Sequence, residues 1–182
     1  MRCLLDTCVL FPAVMREALL AVAGTGAFVP LWSERILGEW ERAGAKHGAL
    51  EGLKAREAVA GVRVRFPGAV VPPRPGLEAR LHLPDADDIH VLASAIAGNA
   101  DCILTLNAAD FPRGVLRAEG LDRRDPDGLL WEIWSGDPAG VVAALEPVRL
   151  RAEAMDGVVR ELPGLMRKAG LTRLARALRG AG

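Results

Sequence analysis

The stretch "PDADDIHVLASA", residues 84–95, sets three carboxylates, Asp85, Asp87 and Asp88, just ahead of an apolar run with the composition of a buried helix. One or two acids there satisfy the free N–H groups and the positive dipole end of a first helical turn. A third asks for another cause, and other oxygen ligands stand ready to share it. Asp6 stops the first apolar run, Glu39 lies on a helix that also follows a strand, and Asn107 and Asp110 occupy the turn after "CILTL". Like charges gathered at one point are unfavourable unless a cation joins them or protons are retained. A hard divalent cation, Mg²⁺ or Mn²⁺, is the simplest remedy, because both favour carboxylate and water oxygens. A site of that kind serves in-line attack of water on a phosphodiester. The chain offers no competing chemistry, having no Gly-rich P-loop, G-x-S-x-G, C-x-x-C or H-E-x-x-H.

These residues act together only if the fold brings them together. Cys3 to Leu5 is too short for a helix and reads as a buried strand ending at Asp6. A helix follows Pro12, "AFVPLW" is a second strand, and the next helix starts with Ser33 as N-cap and carries Glu39 beside an apolar face of Ile36, Leu37 and Trp40. Residues 50–65 form an amphipathic helix interrupted by Gly52 and Gly61, and the Pro-rich stretch after it holds at most one short strand. A helix over 85–97, closed by Gly98, precedes a buried strand over 102–105. Residues 113–126 are polar and basic, and helical patterns with Gly and Pro breaks fill the rest. Strands alternating with helices predict an α/β fold, a three-layer α/β/α arrangement around a parallel sheet. In such sheets the working crevice lies at the carboxyl ends of the strands, where Asp6, Asn107 and Asp110 fall. Asp85 and Asp88, three apart on one helical face, point into the same crevice, and Asp87 points elsewhere.

The 182 residues suit one core with a helical extension, divided here as 1–137 and 138–182, the extension packing on the domain or on a partner. Half the residues are apolar, and 23 basic side chains balance 23 acidic ones, the composition of a soluble globular protein. That balance argues against steering to nucleic acid by the overall field and leaves room for a local basic patch. Cys3, Cys8 and Cys102 have no paired spacing and read as reduced thiols, and no apolar stretch reaches the ~18 residues of a membrane span. A cytoplasmic protein is expected.

Four motifs, "LLDTCVL", "SERILGEWER", "DADDIHVLASAIAGNADCILTLNAADFP" and "LMRKAGLTRLARAL", resemble in order and spacing a PIN-domain protein, the fold used by toxins of the VapC type. The resemblance implies a metal-dependent ribonuclease with a parallel sheet and an acidic pocket. It carries the family's acids onto Asp6, Glu39 and Asp88, with the fourth position at Asn107 or Asp110 and an additional acid at Asp85. It also implies RNA as substrate, an antitoxin protein as possible partner, and a possible homodimer. Cys8 departs from the family pattern, as does Asn at 107. A PIN-like module that binds RNA or protein with weak or no catalysis is the alternative. A phosphatase of the haloacid dehalogenase type needs a second Asp where this chain has Cys8.

Blander roles stand beside these. Asp6 suits a strand-end turn, Glu39 a surface pair with Arg35 or Arg42, and Asp85 a helix cap. Thr7 and Thr105 read either as ordinary strand-end residues or as side chains that orient carboxylates by hydrogen bonding, His90 as a packed helix histidine, and the four Trp residues as core. Arg113 and Arg117, with Arg123 and Arg124, suit either RNA phosphates or a solvated loop. The basic tail has an apolar face that needs a cover, either the domain body or another chain.

Overall fold

The computed structural model describes residues 1–180. β1 (Arg2–Leu5) runs into a single helical turn, α1 (Thr7–Leu10), and then α2 (Ala13–Ala23) leads to β2 (Val29–Ser33). A hairpin of α3 (Glu34–Lys46) and α4 (Ala49–Arg65) follows, with the Ser33 hydroxyl capping α3 by accepting from Ile36 N–H. β3 (Val70–Val71), α5 (Ile89–Ala97), β4 (Cys102–Leu104), α6 (Arg113–Ala118) and β5 (Asp122–Arg124) come next. The remaining elements are α7 (Pro126–Gly136), α8 (Pro138–Asp156), α9 (Leu162–Lys168) and α10 (Thr172–Arg179). Asp125 and Asp137 cap α7 and α8, each followed by Pro at the first helical position.

The five strands form one parallel sheet in the order β3-β2-β1-β4-β5. α5 packs on β1, β2 and β4, and α3 on β2, so the expected α/β fold with a central parallel sheet and flanking helices is what forms. Leu4, Leu5, Ile103 and Leu104 are fully buried, as expected for central strands with no solvent face. Each contributes about 1.5–3 kcal/mol of apolar burial. In register, Leu5 stands opposite Leu104, so Asp6 and Thr105, the next residue on each strand, leave the sheet side by side.

Several local expectations change. The helix expected over 85–97 opens as a tight 3₁₀ turn, Ala86–Asp88, before α5 begins at Ile89. The stretch 113–126, read only as polar and basic, contains α6 and the edge strand β5, whose residues Asp122, Arg123 and Arg124 carry no apolar signal because an edge strand has solvent beside it. Gly52 does not interrupt α4; it lies at 3.2 Å, measured from where a Cβ would stand, from the Ala45 Cα of α3. Gly44 is tighter still, with a Cβ placed 2.6 Å from the Ala55 Cβ.

The chain separates into two compact units, Met1–Phe11 with Val29–Arg124, and Pro12–Phe28 with Asp125–Gly182. The first holds the sheet. Residue 137 falls between α7 and α8, both in the second. No helix among the described residues is long and apolar enough to cross a membrane.

Candidate active site

Asp6 sits between β1 and α1, where its N–H continues the ladder by donating to Leu104 O at 3.1 Å. It is only 5 % exposed. A carboxylate this buried needs donors, and it has them: Thr105 Oγ1 donates to its Oδ2 at 2.8 Å and Cys8 Sγ approaches the same oxygen at 3.1 Å. Thr105 in turn accepts from Asn107 N–H at 3.0 Å, which ties the turn after β4 to the acid after β1. Cys8 also accepts from Leu106 N–H at 3.2 Å. Burial, and then the neighbouring Asp6 charge, push the Cys8 thiol up to about 12, so it stays protonated and able to donate.

Glu39 is held from both sides. Its Oε2 accepts from Thr7 Oγ1 at 3.0 Å, and its Oε1 lies 2.8 Å from His90 Nε2. Burial lowers the His90 pKa against the opposing pull of Glu39, so this contact is a hydrogen bond from a neutral imidazole rather than an ion pair. The ring is 3 % exposed, and its Nδ1 finds no partner among the described residues. Arg35 and Arg42 also lie at 3.5 and 4.0 Å from Glu39, the surface pairs expected from helical spacing.

Asp88 is the half-buried member of the acidic triplet, and it feels the rest. Burial first, then the charges of Asp6, Asp110, Asp85 and Glu39 in that order, raise its carboxyl from 3.8 to about 6. Asp85 is exposed and spends one oxygen on the 3₁₀ turn, accepting from Asp87 N–H at 2.9 Å, so the capping role falls to it. Asp87 is exposed. In the turn after β4, Asn107 is exposed and Asp110 half-buried, and it is Asp110 whose charge acts on Asp88. Arg113 and Arg117 lie exposed on α6, Arg113 paired with Asp122 at 2.8 Å.

Every one of these residues belongs to the first unit. Among the described residues no three His, Cys, Asp or Glu side chains form a ready-made cage for a metal ion. The donor set still suits Mg²⁺ or Mn²⁺ in kind. Its members are hard oxygens, their charges add to burial in raising the Asp88 carboxyl, and Mg²⁺ is held through one or two carboxylates and its own waters rather than by an all-protein cage.

Four neutral side chains frame these acids. Thr7 and Thr105 orient carboxylates instead of merely ending strands, Cys8 joins them, and His90 is packed as expected but packed onto Glu39. Thr105 was deducible from a parallel register that sets it beside Asp6. Nothing in the sequence joins His90 to Glu39.

A family model described as PIN domain matches residues 2–109. Searches of the curated proteins and of the solved structures give no match. The matched segment spans more than half of the chain and contains Asp6, Glu39, Asp85, Asp88 and Asn107, together with the strands β1 to β4 that position them. This chain belongs to the PIN-domain family.

Proposed function

We propose that this protein is a metal-dependent endoribonuclease that hydrolyses RNA phosphodiester bonds, acting as the toxin of a type II toxin–antitoxin pair. PIN domains are generally nucleases, so membership supports hydrolysis of nucleic acid at the coarse level. The observation that carries the finer reading is half-buried Asp88, whose carboxyl is raised to about 6 by burial first and then by the charges of Asp6, Asp110, Asp85 and Glu39. Asp6, Asp88 and Asp110, with Asn107 and Asp85 at the rim, would hold Mg²⁺ or Mn²⁺. Such an ion, when bound, lowers the pKa of a water and stabilises charge on the phosphate under attack.

The chain's own residues do the rest. Thr105 and Cys8 fix the orientation of Asp6 by donating to its Oδ2. Thr7 and His90 hold Glu39 without neutralising it, since both donate as neutral groups. Arg113 and Arg117 are assigned to substrate phosphates near the site. The protein works in the cytoplasm in this reading, with a small antitoxin that masks it and a homodimer as its assembly.

Cleavage of single-stranded RNA with Mg²⁺ and with Mn²⁺ tests the proposal. Wild type should cut, chelation should stop it, and Asp6→Asn and Asp88→Asn should each lower the rate by at least about a hundredfold. Metal-dependent cutting that survives both substitutions would remove the site assignment. The rival, a binding module with weak or no catalysis, draws on the exposed Asn107 and on the lack of a three-ligand cage among the described residues. RNA binding without cutting under either metal would favour it. The toxin role fails if no small protein encoded beside this one binds it and suppresses cleavage.

A further inference from the structure

The second unit carries a charge pattern that the proposed site does not use. Between Leu162 and Gly180 the chain has five cations, Arg167, Lys168, Arg173, Arg176 and Arg179, and no acid, in a protein whose charges balance only over its whole length. All five are exposed, and none forms an ion pair among the described residues. The apolar face between them is already covered, because Leu165, Met166, Leu174 and Leu178 are buried where α10 packs on α9 and α7. The cations therefore point outward as the free face of a finished helical hairpin.

Helix electrostatics explain only some of them. Arg167, Lys168, Arg176 and Arg179 fall in last turns, where cations complement the dipole. Arg173 sits in the first turn of α10, where a cation is unfavourable. Asp127 offsets it there by accepting from the N–H groups of Arg173 and Leu174 at 2.7 and 2.9 Å, and the Arg173 guanidinium lies 3.5 Å over the Trp131 ring. Arg173, Arg176 and Arg179 follow at i, i+3 spacing, a row of like charges about 4.5 Å apart along the axis.

We propose that the α9–α10 hairpin, with Trp131 of α7, is a docking surface for single-stranded RNA. The exposed cations hold phosphates, and the Arg173 guanidinium, backed by Trp131, presents its other face to a base. A flat cation backed by an aromatic ring within a row of charges suits unpaired bases, which stack on guanidinium planes and aromatic rings. An acidic protein would need the charges without the plane. The choice of RNA rests on the nuclease reading of the first unit.

The test is binding of a labelled single-stranded RNA to the full chain in EDTA, followed by anisotropy over a salt series, so that no cleavage is required. Arg176→Glu with Arg179→Glu should weaken binding at least about tenfold and make the log–log salt slope shallower by about 1.4, at ~0.7 per lost phosphate contact. Arg173→Lys, which keeps the charge and loses the plane, should weaken binding severalfold with the slope unchanged. Unchanged affinity and slope in the double reversal would overturn the proposal, as would polyglutamate displacing the RNA as well as unlabelled RNA does. If the reversal disturbs the helical circular dichroism, Arg167→Gln with Lys168→Gln gives the same reading. RNA held by the hairpin but never cut would count against the nuclease reading alone; cutting with reversal-insensitive binding would count against the hairpin alone.

Discussion

Asp88 occupies a position that costs the fold stability. Its folded-state pKa of about 6 lies above the unfolded value of 3.8, so between those limits the native state binds the extra proton and stability falls as pH rises. Below about pH 4 both states are protonated and the cost is absent. Asp88→Asn should therefore raise the melting temperature of the metal-free protein at pH 7.5 and leave it unchanged near pH 3.5. An equal rise at both values would mean that packing, not charge, is responsible. His90 gives a second residue-scale prediction. Replacing it with Leu removes the donor to Glu39 together with a buried Nδ1 that has no partner among the described residues, so stability should change little. Cleavage should fall about tenfold, the equivalent of one charge-assisted hydrogen bond of about 1.5 kcal/mol. His90→Gln, which restores an N–H, should recover most of the rate; equal rates in Leu and Gln variants would sink the positioning role. The carboxylates of the proposed site stand out in the sequence because acids contrast with apolar runs. Their neutral supports were legible only in part: Thr7 and Thr105, at strand ends, were candidates for orienting a carboxylate, whereas Cys8 looks like any residue after a strand until Asp6 is seen beside it.

At the scale of elements, legibility followed burial. β1 and β4 announced themselves as short apolar runs because both faces of a central parallel strand are covered. β5 did not, since Asp122–Arg124 is an edge strand whose register with Cys102–Leu104 comes from the backbone alone. The tail's amphipathic pattern was plain, while its cover was not: α7 and α9 supply it from sequence that is itself broken by Pro and Gly. The α3–α4 hairpin shows the same limit from another side. Gly44 and Gly52 look like helix breakers, yet both lie inside helices and allow a close approach. A methyl at Gly44 would meet the Ala55 Cβ at 2.6 Å and Glu51 O at 3.0 Å, partly backbone and unable to swing aside. Gly44→Ala should thus destabilise by about 1–3 kcal/mol despite its better helix propensity. Gly61→Ala, where a Cβ meets nothing within 4 Å, should be neutral or stabilising. Denaturant melts of the pair check this, and a Gly44→Ala protein as stable as wild type would show that the helices separate freely.

For the whole molecule, the acids of the proposed site lie in one compact unit and the basic hairpin in the other. A ligand that binds only the native form of one unit stabilises by RT ln(1 + [L]/Kd), about 2.7 kcal/mol at a hundredfold excess over Kd. For a chain of this length that amounts to roughly 5–11 °C in melting temperature when unfolding is a single transition. Saturating Mn²⁺ should therefore raise the transition of the unit that carries Asp6, Glu39 and Asp88. The rise should shrink as pH drops below about 6, because the ion then competes with the proton on Asp88 for the same oxygens. Asp6→Asn should abolish the shift, whereas Arg176→Glu with Arg179→Glu should leave it intact, since those cations are no part of the acidic cluster. Scanning calorimetry at pH 7.5 and pH 5 reads all of these at once. A Mn²⁺-induced rise of the same size in the Asp6→Asn protein would place the ion elsewhere on the molecule and separate metal binding from the converging acids.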